Sequence, residues 1–132
     1  MKTDFFLTFP PSINRYYSKT RNGVYLSAAG RAFQTSGILF LREQLGDHPL
    51  IDYPIHLSLI LYPPDKRSRD LDNYIKPVQD CIQNSGLLIN DYLINQLEMF
   101  RGYSQTPKGS VFVRIREAAP ILQNTAEERA LI

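Results

Sequence analysis

Two proline pairs constrain this chain more than any other feature. "DFFLTF" (4–9) runs into Pro10-Pro11, and "PIHLSLILY" (54–62) runs into Pro63-Pro64. Both runs are rich in aromatic and branched residues, and the second sets Ile55, Leu57, Leu59 and Leu61 on one side. Alternation with a period of two is the pattern of a strand with one buried face. Proline has no N–H for a ladder, so a proline pair stops a strand abruptly. Each run therefore reads as a strand that ends at its prolines.

The remaining segments follow from local signals. Residues 10–26, which include "PPSINRYYSKTRNG", read as one long polar loop, and such loops in small domains usually serve function. Ser27 is suited to cap a helix that runs to about Leu45 and closes at Gly46. Ala29, Phe33, Ser36/Gly37 and Phe40, with Ala32 and Leu39 alongside, recur along it at helical spacing. Leu71, Tyr74, Ile75, Val78, Cys81 and Ile82 trace a second apolar stripe, which predicts a helix over about 72–84 ending near Gly86. "INQLEMFRGY" (94–103) and "GSVFVRIRE" (109–117) read as two more strands, with "SQTPKG" as their hairpin connection. The tail beyond Pro120 is polar, a short helix at "AEERALI" or disordered. The expected fold is a small single α/β (α+β) domain over 1–117, with a mixed or antiparallel sheet of about four strands packed with two helices. Residues 118–132 form a C-terminal tail.

Composition narrows the class of protein. With 132 residues, 43% of them hydrophobic, the chain suits one core and not two. No apolar run approaches the roughly 20 residues of a membrane span. Asp4 and the prolines interrupt any secretory leader, and the lone Cys81 excludes an intrachain disulfide, so a reduced, cytoplasmic setting is expected. The net charge of +2 hides an uneven distribution. Lys2, Arg15, Lys19, Arg21 and Arg31 face only Asp4 up to residue 31; Lys66, Arg67 and Arg69 form a second cluster, and Arg101, Lys108, Arg114 and Arg116 a third. Basic segments interleaved with Tyr16, Tyr17 and Tyr25 point to a polyanion partner.

The segment "KRSRDLDNYIKPVQD" (66–80) concentrates the chemistry. Asp70 and Asp72 would be about 200° apart on a helix, but they share a face on extended chain with Leu71 turned inward. "RDLD" therefore reads as extended chain entering a helix capped by Asp72 or Asn73. From there Asp72, Lys76 and Asp80 fall at i, i+4 and i+8. A surface ladder of this kind is worth only a few tenths of a kcal/mol per pair. As a site, it is a carboxylate ligand, a lysine aimed at phosphate charge, and a carboxylate that orients the lysine. Pro77 favours the site, because inside a helix it should kink or loosen the backbone beside the acidic pair. "INDYL" supplies a third carboxylate, Asp91, if the loop after the helix doubles back. His48 and His56 lack ligand spacing and one cysteine makes no thiolate site, so all-oxygen ligation points to Mg²⁺ or Mn²⁺.

The combined pattern D-x-D-N-x-x-K-P-x-x-D, a glycine turn and then N-D is far more specific than D-x-D. Segment 63–98 resembles the RusA-type Holliday junction resolvases, small phage and prophage endonucleases. "PPSINRYY" followed by "GVYLSAAGRAF" also resembles the opening of that family, so the likeness extends to about residue 116. The resemblance implies that Asp70, Asp72 and Asp91 are catalytic, metal-binding carboxylates and that Lys76 is essential. It also implies a homodimer performing Mg²⁺-dependent paired cleavage of four-way DNA junctions. Asn90 stands where the family usually has a first aspartate, and with Asp80 it would support the site. Asn14, Arg15, Lys19, Arg21, Lys66, Arg67, Arg69 and Asn73 would bind DNA, chiefly its phosphates. Tyr16 or Tyr17 would stack on unpaired bases, or else pack the loop. Two alternatives stay open: a branched-DNA-binding protein without catalysis, and a different D-x-D enzyme such as a nucleotidyl- or glycosyltransferase.

Overall fold

Alternation in "IHLSLILY" makes β4 (Ile55–Tyr62) an inner strand whose odd-numbered residues are all buried. In the computed structural model, which describes residues 2–132, it pairs antiparallel with β6 (Ser110–Glu117) and parallel with β5 (Ile94–Arg101). β1 (Lys2–Thr8) closes the other edge against β6, giving the order β1-β6-β4-β5. The two helices of the core are α2 (Ala28–Leu45) and α3 (Ile75–Asn84). Phe33 and Leu41 of α2 and Val78, Cys81 and Ile82 of α3 join the buried sides of the strands in one core. The helices approach closely: a Cβ on Gly37 would lie 2.7 Å from Cys81 Sγ.

The four-stranded sheet packed with two helices matches the expectation, but its wiring does not. β5 and β6 are not a hairpin; β4 lies between them. A parallel β4–β5 pair needs a long crossover, and residues 63–93, with α3 inside, provide it. β6 takes the inner position because its alternate residues Val111, Val113 and Ile115 are fully buried, whereas β5 is largely exposed and suits an edge. Away from the helices, Phe6, Phe112, Ile60 and Phe100 align in register across all four strands.

One segment is more ordered than local signals suggested, and one helix is divided. Residues 10–26 contain a one-turn helix, α1 (Ile13–Tyr16), and a hairpin of β2 (Tyr17–Thr20) with β3 (Gly23–Leu26). Arg21 and Asn22 form its two-residue turn, followed by Gly23 at φ +131°. The second helix is split. A 3₁₀ turn, Leu71–Tyr74, precedes α3, with Asp70 as its N-cap and Tyr74 as that of α3, in place of Asp72 or Asn73. Pro77 therefore lies in the first turn of α3, where its missing N–H forfeits no helical bond. The expected loosening lies one step earlier, at Tyr74 (φ −119°, ψ 5°). In the tail, Thr125 and Glu128 form a reciprocal cap on the single-turn α4 (Ala126–Arg129).

Candidate active site

The D-x-D segment straddles the boundary between extended chain and helix. Asp70 is extended (φ −87°, ψ 130°), while Asp72 lies in the first 3₁₀ turn. Leu71 packs against the core as expected, and both carboxylates are exposed. Because the helix breaks at Tyr74, Asp72 does not continue the Lys76–Asp80 stripe. Asn73 is half-buried in the same 3₁₀ turn.

Lys76 is the junction of the site. Its Nζ lies 2.9 Å from Asp80 Oδ1 and 3.9 Å from Asp91 Oδ2. The hydrogen bond to Asp80 holds the ammonium above the usual lysine range, against partial burial that works the other way. Asp91 reaches this point because the chain after α3 does fold back. Ile51 pairs with that return: its N–H donates to the Leu87 carbonyl and its own carbonyl accepts from Ile89. Asn90 then caps the short turn Asp91–Leu93 by accepting from Tyr92 N–H, and Gln83 Oε1 accepts from Asp91 N–H at 3.1 Å. Asn90 thus fixes the turn that carries Asp91.

A basic cleft of about 700 Å³ opens between α1, the start of α2 and the 64–69 segment. Arg15, Arg67, Arg69 and Lys108 line it, with no carboxylate in the lining. Beyond the 67–69 strip lies a second hollow of about 340 Å³, lined by Asp70, Lys66 and Arg101 among others. The cations differ in freedom. The Arg69 side chain is only 12% exposed; it pairs with Asp65 at 2.9 Å and lies over the Phe9 ring. Arg69 and Arg67 together hold the Asp65 carboxyl far below its usual range. Arg69 is therefore chiefly a brace for its loop, and Arg101 adds to it by donating to the Arg69 carbonyl at 2.6 Å. Asn14, Arg15, Lys66 and Arg67 are exposed. Lys19 and Arg21 are also exposed, on the β2–β3 hairpin outside the lining of the cleft.

Tyr16 is not available for stacking on a base. It is 1% exposed, and its hydroxyl donates to Asp80 Oδ2 at 2.8 Å. Tyr17, half-buried, sets its ring edge-on against it. Gln34, which donates to the Tyr16 hydroxyl, was passed over in the sequence reading, and Arg101 and Lys108 were noted there only as part of a basic cluster. Among the described residues, no group of three or more His, Cys, Asp or Glu side chains is gathered closely enough to hold a metal ion as it stands. Asp70 makes no side-chain cap and, among the described residues, neither Asp70 nor Asp72 forms an ion pair.

Two carboxylates meeting a lysine, together with a cation-lined cleft on the same small α/β scaffold, suit a protein that handles a polyanion. The chain belongs to the endodeoxyribonuclease RusA family, whose model matches residues 8–116. It is 33% identical over 85 residues to the crossover junction endodeoxyribonucleases RusA of Shigella sonnei (strain Ss046) and Escherichia coli (strain K12), covering 64% of this chain and 70% of each relative. The same identity and coverage hold for the crossover junction endodeoxyribonuclease of Enterobacteria phage 82. No helix among the described residues is long and apolar enough to cross a membrane.

Proposed function

We propose that this chain is a structure-specific endodeoxyribonuclease of phage or prophage type that resolves four-way (Holliday) DNA junctions by paired phosphodiester hydrolysis. The observation that carries this reading is Lys76 held between Asp80 and Asp91 in a chain of this family that also carries a basic cleft. Asp70, Asp72 and Asp91 offer hard oxygen donors and would hold Mg²⁺ or Mn²⁺, drawing together from their present positions. Softer ligands are elsewhere: Cys81 is inside the core, His48 is engaged by Thr3 and the Pro49 carbonyl, and His56 faces Glu98. A cation bound there would polarise a phosphoryl oxygen and make water a nucleophile near neutral pH. Lys76, kept charged by Asp80, stabilises the charge that develops on the scissile phosphate. Arg15, Lys66, Arg67 and Lys108 grip flanking phosphates, with Asn14, Lys19, Arg21 and Asn73 extending that surface.

Residues 1–117 form the working unit, in a cytoplasmic setting, with 118–132 appended. A four-way junction has approximate two-fold symmetry and resolution takes two nicks, so a C2 homodimer would set two equivalent sites about the substrate axis. A solution mass near twice that of the chain is expected; a monomer with and without junction DNA would leave a single-site nuclease.

The test is incubation with a synthetic four-way junction and a linear duplex, with and without Mg²⁺. Cleavage confined to the junction and to the metal-containing reaction is expected. The separated carboxylates also suit a branched-DNA-binding protein without catalysis. Junction binding with no cleavage in either Mg²⁺ or Mn²⁺ would select that reading. Metal binding has its own readout, a rise in unfolding temperature with Mg²⁺ or Mn²⁺ that is lost in Asp72→Asn.

A further inference from the structure

We infer that Tyr16 is a positioning residue for Lys76, acting through Asp80; the inference rests on the role of Lys76 proposed above. Asp80 divides its carboxylate between two donors. Oδ1 receives Lys76 Nζ at 2.9 Å, and Oδ2 receives the Tyr16 hydroxyl at 2.8 Å. A carboxylate turns in a broad torsional well, so a single contact with Lys76 would not fix either group. Occupying the second oxygen restricts that freedom and helps to keep the ammonium where it stands, 3.9 Å from Asp91 Oδ2. A donor on each oxygen also sets Asp80 apart from Asp70 and Asp72, for which no side-chain partner is found among the described residues.

The tyrosine can do this because it is itself immobilised. Ser27 N–H donates to the Tyr16 carbonyl at 2.9 Å, and the Ser27 hydroxyl donates to the adjoining Arg15 carbonyl at 2.5 Å. A Cβ on Gly30 would come within 2.4 Å of the Tyr16 carbonyl oxygen, so α2 presses directly on the backbone of α1. At the other end of the side chain, buried Gln34 donates from Nε2 to the Tyr16 hydroxyl at 2.8 Å and to the Pro77 carbonyl at 3.0 Å. Asn84 donates to Gln34 Oε1 at 3.4 Å. Each buried polar group along the path has a partner, as a network that specifies one geometry requires. The path runs from α1, through α2, to the residue beside Lys76. Exposed Asn14 and Arg15 precede Tyr16 on the same turn, so the arm proposed to meet DNA and the lysine proposed to meet the scissile phosphate share one anchor.

The test compares Tyr16→Phe, Asp80→Asn and the double variant. Three quantities are read: the single-turnover cleavage rate of a four-way junction, junction affinity in EDTA, and the unfolding temperature. Tyr16→Phe should cut roughly tenfold more slowly, the size typical of losing a partner that orients a working group. Affinity should stay within a factor of about two, since no phosphate contact is lost. The double variant should be no slower than Asp80→Asn alone, because both changes break one path. A Tyr16→Phe rate equal to the parent, or two independent reductions that multiply in the double variant, would overturn the inference. A crystal structure of Tyr16→Phe supplies a readout independent of activity. Lys76 Nζ should leave its place between Asp80 and Asp91, and an unchanged Lys76 and Asp80 sinks the inference even if the parent cuts nothing. Absence of cleavage by the parent would instead count against the nuclease reading.

Discussion

Asp80 and the Asp70–Asp72 pair are separated by fewer than a dozen residues, yet the two regions are built on opposite plans. Around Asp80 every polar group is engaged: Lys76 and Tyr16 occupy its two oxygens and Gln34 backs the tyrosine from inside the protein. Asp70 and Asp72 are exposed and have no side-chain partner among the described residues, on a segment braced from outside by Asp65 with Arg67 and Arg69. A carboxylate with a donor on each oxygen is held in one orientation, whereas an unpaired one keeps more lone pairs for a cation or a water. On the proposed reading, Asp80 shapes the site and the exposed pair does chemistry in it.

The sharpest way to break the contrast is to neutralise the open pair and Asp91, the other proposed cation ligand. Asp70→Asn, Asp72→Asn and Asp91→Asn should each lower junction cleavage by about a thousandfold or more. Junction binding should persist or tighten, because repulsion toward phosphates is lost. Stability of the Asp70 and Asp72 variants should move by no more than about 0.5 kcal/mol, as is usual for exposed positions. Rate assays beside denaturant titrations check all of this, and three variants that cut normally would remove the site assignment.

Lys76→Ala tests the point where the two plans meet. It should reduce the rate by about a hundredfold, as removal of a group aimed at transition-state charge does, with a much smaller change in affinity. Lys66→Ala should show the reverse, weaker binding with a smaller salt dependence and a rate at saturation near the parent's. Equal affinity losses for the two, without a separate rate defect, would demote Lys76 to a backbone contact.

Gly30→Ala sharpens the comparison from the structural side. The added methyl would meet the Tyr16 carbonyl oxygen, which is backbone and cannot swing away. Destabilisation of about 1–3 kcal/mol is expected, typical of overpacking. The cleavage rate at saturating junction should fall with it, because the displaced atom belongs to Tyr16. Gly46→Ala would meet nothing within 4 Å, so its smaller cost would come from the positive φ of 59° alone. If Gly30→Ala proves as stable and active as the parent, the anchor described for Tyr16 is not rigid.

What could be read from the sequence follows the range of the forces involved. The limits of α2 were legible because capping is local: Ser27 accepts from Gly30 N–H, and Gly46 takes φ 59°. So was Leu71 turned inward between two outward aspartates. The choice of strand partners was not, because β6 pairs with β4 through contacts remote in sequence and the connection after β5 is too long to impose a hairpin. Asn22-Gly23 did carry a hairpin signal, but its polar flanks concealed it. The approach of Asp91 to Lys76 depends on Ile51 pinning the return loop, which no spacing within 70–91 encodes. Tyr16 was misleading because an aromatic residue in a polar loop looks like a stacking platform until its burial is known. Gln34 was the available clue. It sits among Gly30, Phe33, Gly37 and Leu41 on the buried stripe of α2, and a polar side chain there must have partners.

The smallest effect concerns alkaline pH and extends the contrast to the core beneath α3. Burial, with Asp80 adding to it, pushes the Cys81 thiol up to about 12. Burial and then the hydrogen bond to Asp80 also push the Tyr16 phenol up, well beyond its ordinary 10.0. Lys76 is raised as well, chiefly by Asp80. The sign is the same for all three. Above about pH 9 the unfolded thiol loses its proton while the native one keeps it, so the native state binds more protons and unfolding becomes easier as pH rises. Tyrosine and lysine continue the trend above about pH 10. Stability should therefore be level near neutrality and decline from about pH 9 upward, which urea titrations between pH 7 and 10.5 can follow. Cys81→Ala should flatten the first part of the decline, at the expense of a small cavity beside Gly37. Asp70→Asn and Asp72→Asn should leave the alkaline slope unchanged, since neither residue is a cause of these shifts. A slope that Cys81→Ala does not alter would show that the thiol ionises in the native protein almost as readily as in the unfolded chain. The region beneath Asp80 would then be more open to water than its packing against Gly37 implies.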